Sequence, residues 1–293
     1  MRPLLILITA ITTSFSGTSC LAQKPPIDPH TLSAQIVEQQ QIIATVPGST
    51  SGSAWLRLAV LLQDAARFPE SERAYKQALP LLEPRGSAVY ADVLDHMGTM
   101  YAQSGQPDKA EPLERRALAL RATAGDAESI GVSHTHLTAL LLAKGDLRGA
   151  ETEATSAVNL LVPELSPAAI HSAVPEEKMT ALINRALVRC AANSFPAALA
   201  DLRLALSIAH ANYPDNSLPV GYLHTLVGYT YWKSGDLPAA AASMRKGTQE
   251  LSAAIGQSHP VYLRALSQYE TVLTEAGRTA EAHESGTTES SEQ

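Results

Sequence analysis

Histidine, cysteine and closely spaced carboxylates are the side chains from which metal centres and catalytic sites are built, and this chain uses them sparingly. His134 and His136 stand two residues apart. On a helix that spacing sends them to nearly opposite faces, which suits them poorly to sharing one ion. Cys190 has no neighbouring signature of a nucleophile and reads as a small core hydrophobe. Glu176 and Glu177 follow Pro175, where a helix start favours negative charge. There is no G-x-G-x-x-G, no phosphate loop, no H-E-x-x-H and no G-x-S-x-G. The sequence therefore predicts no catalytic residue, no metal ligand and no cofactor-binding residue. An α-helical enzyme working in a groove is the weakest functional reading.

Composition restricts the partners. A net charge of -7 lacks the basic stripe that nucleic acid requires. Two cysteines exclude a disulfide scaffold. Ala (47) and Leu (38) dominate the 293 residues while aromatics reach only 5%. That is an alphabet of helix formers, poor in strand formers.

The first residues read as an export signal. Met1-Arg2 is a short basic start, Leu4–Ile11 is apolar, and small residues lead to Cys20-Leu21-Ala22, predicting cleavage after Ala22 over residues 1–22. The expected location is outside the cytoplasm, in a bacterial periplasm or secreted. Cys20 also raises lipidation, giving an envelope lipoprotein that helps assemble an outer-membrane complex, although Gly17 stands where such signals usually carry Leu. Nothing later approaches the roughly 18 consecutive apolar residues of a membrane span.

The elements that would position any site recur with a period near 40 residues. Trp55-x2-Leu58-Ala59-x2-Leu62 is followed by Ser71-x3-Tyr75-x2-Ala78. The pattern returns as Leu94-x2-Met97-Gly98-x2-Tyr101 with Gly105, Ala110 and Ala117, then as His134-x2-Leu137-Thr138-x2-Leu141 with Gly145, Ala150 and Ala157. Leu182, Ala186, Asn193, Ala198, Leu202 and Ala205 keep the phase, as do His224-x2-Val227-Gly228-x2-Tyr231 with Gly235, Ala240 and Met244. A last copy begins at Leu266 and Tyr269. Each copy holds two amphipathic helices around a turn with Gly closing the first.

These motifs resemble the tetratricopeptide repeat, in the longer kinesin-light-chain-like variety. The resemblance covers roughly residues 50 to 284 and implies an all-α solenoid of about five to six helix-turn-helix repeats in a right-handed superhelix. The expected organisation is a capping helix and linker over 23–52, the solenoid over 53–284 with a Pro-rich insertion at 163–175, and a disordered tail over 285–293. Leu32, Ile36, Val37 and Ile43 are expected on the apolar face of the cap, and Pro47 to Ser53 as a turn-rich linker. Departures from the pattern are Glu114, where the second helix should carry an aromatic, and Arg185 and Arg189 at apolar places, which suggest a rotated first helix or a slipped phase.

The resemblance further implies a concave face lined by the first helix of each copy, serving as a non-catalytic protein-interaction scaffold for a peptide or protein. On that face the candidate partner-binding residues are Leu142, Ile183, Leu187 and the stripe Tyr222, Tyr229 and Trp232, three of the chain's 14 aromatics. Asp92 and Asp95 are candidates for an acidic end of the same groove. Arg57 and Lys233 are too few cations for a carboxylate clamp, so an apolar or mixed segment is the expected ligand. His134 and His224, equivalent in their copies, are read as packing between paired helices.

Overall fold

The computed structural model describes residues 29–45, 51–83, 87–163 and 175–278. Every element among these residues is a helix. They are α1 (Pro29–Thr45), α2 (Ser51–Asp64), α3 (Phe68–Leu82), α4 (Ser87–Gln103), α5 (Pro107–Ala124), α6 (Ala127–Lys144), α7 (Leu147–Leu161), α8 (Pro175–Ala191), α9 (Phe195–Asn212), α10 (Leu218–Ser234), α11 (Leu237–Ile255) and α12 (Pro260–Glu275). None is long and apolar enough to cross a membrane. The predicted signal, Cys20, the stretch 164–174 within the Pro-rich insertion and the 285–293 tail lie outside the described residues.

The chain divides into two compact units, Met1–Leu161 and Val162–Gln293, with the boundary at the edge of the Pro-rich stretch. The first holds the pairs α2/α3, α4/α5 and α6/α7 behind α1, and the second holds α8/α9, α10/α11 and α12. Within each unit a helix packs most closely on its pair partner and next on the following helix. Some first helices also touch the next first helix in their unit, as α2 touches α4, α4 touches α6 and α10 touches α12. This is an all-α repeat solenoid.

One backbone turn, made six times, closes the first helix of each pair. Gln106 donates its N–H to the Tyr101 carbonyl and Gly105 to that of Ala102. The same two bonds recur at Gly145 and Asp146, at Gly235 and Asp236, and at Gly277 and Arg278. The turning residue has φ between 74° and 87° at these four glycines, a region closed to most side chains. Asn193 and Ala66 occupy the same place with φ of 60° and 54°. Asn tolerates this conformation, whereas Ala66 holds it at a cost glycine avoids. Prolines in the first turns of α3, α5, α9, α10, α11 and α12 start helices where a missing N–H costs nothing.

Small residues set the spacing inside each pair. Ser71, Ala110, Ala150, Ala198 and Ala240 are fully buried at equivalent places in the second helices, as are Ala78, Ala117, Ala157 and Ala205 two turns on. Larger knobs such as Tyr75, Leu202 and Met244 fill the space between. On α1 the apolar residues divide. Ile36 is buried and Leu32 and Ile43 pack on the core, but Val37 is 52% exposed. A residue adjacent to Ile36 is turned about 100° away from it. Gln39 takes the inner place instead and donates to the Ala54 carbonyl at 3.2 Å. The expected linker is also shorter, because α2 already begins at Ser51.

Candidate functional site

The second unit carries the aromatic stripe on α10. Gly221 and Gly228 let this helix lie close against α11, which meets it with Gly247. The fit buries most of α10 and directs only part of the stripe outward. Tyr229 is 4% exposed; its ring meets Trp232 edge to face at 6.0 Å. Burial pushes the Tyr229 hydroxyl up, as does the neighbouring Cys190. Tyr222 and Trp232 are partly exposed. The Trp232 indole N–H donates to Glu275 of α12 at 2.6 Å. The Lys233 ammonium lies 4.8 Å from the Trp232 ring and 5.5 Å from that of Tyr229, a cation held by aromatic faces.

On α8, Ile183 is fully buried and Leu187 nearly so, and in the first unit Leu142 of α6 is buried as well. These three, with Tyr229, are packed side chains rather than open contact surface. Cys190 is buried too, and burial pushes its thiol up to about 11, so it stays protonated at neutral pH. Arg185 and Arg189 reflect no slipped phase. Both turn toward Asp201 of α9: Arg185 forks onto its two oxygens at 2.7 and 3.0 Å, and Arg189 reaches it at 2.8 Å.

In the first unit, charged side chains from three helices converge. Arg121 of α5 donates to Asp92 at 2.9 Å and Asp95 at 3.3 Å, both on α4, and to Ser133 of α6 at 2.6 Å. His136 of α6 meets Asp95 at 2.8 Å and stands 3.8 Å from Glu114 of α5. Asp92 and Asp95 are thus committed to partners inside their own unit, and Asp95 is buried. Burial works against the Asp95 charge, but the His136 imidazole and the Arg121 guanidinium override it and hold the carboxyl well below the usual range. The same contact raises His136 against the cost of burial. Burial, and then the adjacent Asp95 charge, push the Glu114 carboxyl well above its ordinary value and favour the protonated acid.

The two equivalent histidines form inter-helix bonds. His134 meets Glu153 of α7 at 2.6 Å and His224 meets Glu250 of α11 at 2.7 Å. His134 and His136 point to different helices, as their spacing implied. The Arg–Asp and Asp–Glu–His groupings were missed in the sequence. The available signal was that both groups occupy apolar repeat positions: Glu114 stands where other copies have Tyr75, Ala154, Leu202 and Met244.

A sequence model of the tetratricopeptide repeat matches residues 50–123. No curated protein matches the chain. Among solved structures, BtubC (BKLC) from P. vanneervenii is similar at 19% identity and a TM-score of 0.62, covering 79% of this chain and 92% of that one. Putative kinesin light chain repeats from Podosopora anserina give 14% identity and a TM-score of 0.60, covering 71% and 97%. A signal transduction ATPase with a tetratricopeptide repeat sensor from Pyrococcus horikoshii gives 12% identity and a TM-score of 0.67, covering 86% of this chain and 39% of that one. At these identities the likeness is one of fold. Residues 50–123 match the tetratricopeptide repeat, and the rest of the chain shares the fold of such repeat proteins.

Proposed function

We propose that this protein is an exported, non-catalytic scaffold that binds a peptide or protein partner through the second unit, on the surface of α10 bearing Tyr222, Trp232 and Lys233. The observation that carries this reading is the cation held over two aromatic rings with one ring partly exposed, on a repeat fold suited to partner binding. Aromatics with a polar edge supply large contact area at low entropic cost and dominate binding hot spots. A segment with an apolar side chain for Trp232 and a polar or anionic group for Lys233 suits this surface.

Tyr229 is a poor test position, since its truncation opens the core. Tyr222→Ala with Trp232→Ala removes two partly exposed side chains and keeps Tyr229 in the core, although it also removes the Trp232 bond to Glu275. The double variant is expected to retain the wild-type helical spectrum and lose about thirty-fold in partner affinity, the equivalent of roughly 2 kcal/mol at a hot spot. The assay is recovery of bound proteins from an envelope extract followed by titration of the recovered partner. Undiminished affinity would sink the proposal.

Export is checked separately at the mature N-terminus. Mass spectrometry should find a chain beginning at Gln23, free or cyclised. A diacylated Cys20 would replace this reading with the envelope lipoprotein, and an intact Met1 would overturn export altogether.

A further inference from the structure

The repeat supplies its own control for the buried charges of the first unit. At the place of Glu114 the other pairs carry Tyr75, Ala154, Leu202 and Met244. At the place of Asp95 the third and fifth copies carry Thr135 and Thr225, and Leu226 stands in the fifth copy where His136 stands in the third. Glu114 is 3% exposed, and its Oε2 is buried with no hydrogen-bond partner among the described residues. That atom is directed at the group formed by Asp95 and His136, 3.8 Å from the imidazole nitrogen. Glu114 shares a hydrogen bond with Asp95, but burying its Oε2 without a partner costs about 1–3 kcal/mol that packing does not offset.

We propose that Asp95, Glu114 and His136 form a binding site for a divalent transition-metal ion, with zinc as its first candidate. One ligand atom from each lies within 4.8 Å of the other two. Tetrahedral zinc at about 2.0–2.2 Å from nitrogen and oxygen places its ligands roughly 3.3–3.5 Å apart. The observed separations of 2.8 Å for His136 with Asp95 and 3.8 Å for His136 with Glu114 straddle that value. One imidazole with two carboxylates favours a borderline cation over calcium or magnesium. Gly98 leaves room for the carboxylate, since a Cβ there would fall 2.6 Å from Glu114 Oε1. Arg121 opposes a second cation, but it keeps Asp92 and Ser133 as partners when Asp95 turns toward the metal. An ion here would tie α4, α5 and α6 together, and so link two adjacent repeats.

The test uses the full chain, purified without a polyhistidine tag, stripped with a chelator and titrated with zinc chloride alone. One zinc per chain is expected by mass spectrometry of the desalted protein, with a rise in Tm of about 5 °C or more at saturation. Glu114→Met inserts the residue found at 244 and should lose both the zinc and the Tm rise while melting cooperatively. Asp95→Asn preserves shape and should weaken binding at least ten-fold, which keeps the test valid should the methionine variant fold poorly. Absence of stoichiometric zinc in the wild type overturns the proposal, as does zinc retained undiminished in the folded variants.

Discussion

Asp201→Ala should destabilise the second unit by about 3 kcal/mol. Asp201 is 4% exposed and is the shared acceptor of Arg185 and Arg189. Removing it leaves two guanidinium groups, 14% and 22% exposed at their side chains, facing a hole in the α8/α9 interface. The partial exposure of the arginines places the loss at the lower end of the range for a broken buried pair. Trp55 sits in the first unit and Trp232 in the second, so a Trp55→Phe background leaves Trp232 fluorescence to report on unit two. Urea titration should show its midpoint fall, while in a Trp232→Phe background the Trp55 signal of the first unit should keep the parent's midpoint. Asp201→Asn, which keeps the shape and loses the charge, should fall between. Equal midpoints for the alanine variant and the parent would show that the arginines are satisfied without Asp201.

Gly247→Leu should cost the same unit about 3 kcal/mol. A Cβ at Gly247 would lie 2.6 Å from the Thr225 methyl and 2.8 Å from both the Gly221 carbonyl oxygen and the Thr225 nitrogen. A flexible side chain could yield, but those two backbone atoms belong to α10 and move only with the helix. Gly228 faces the same interface, where a Cβ would approach the Ala240 carbonyl and the Met244 nitrogen at 3.0 Å. Even Gly247→Ala should destabilise the fold, although helix propensity alone favours it by about 1 kcal/mol. The two terms have opposite signs, so thermal melting of the alanine variant decides between them. A raised Tm would mean that α10 and α11 can separate cheaply.

The helices were readable because each pair announces itself locally. A proline start, a left-handed stop and small residues at fixed offsets need only a window of about forty residues. The second-unit arginines show where this reading fails. Arg185 and Arg189 look like a phase error when α8 is read alone, since apolar residues occupy those places in the other copies. They fit once Asp201, 12 and 16 residues away on α9, faces them. The acid cluster is harder still, because Asp95 meets His136 across 41 residues, nearly one full repeat. The aromatic stripe was found by spacing, yet spacing could not say that Tyr229 is buried while Trp232 keeps an edge in solvent.

The sequence by itself determined that this protein is a helical repeat and where its turns fall. Helix periodicity, caps and backbone sterics are short-range and recur with every copy, so each repeat reinforces the others. Only the tertiary structure decided what the irregular residues do. Their energies depend on which polar groups are brought within hydrogen-bonding distance after the apolar faces have packed. Glu114 is the clearest case. In the sequence it is a departure from a pattern; in the fold it is a buried acid aimed at a histidine and an aspartate on the helices beside it.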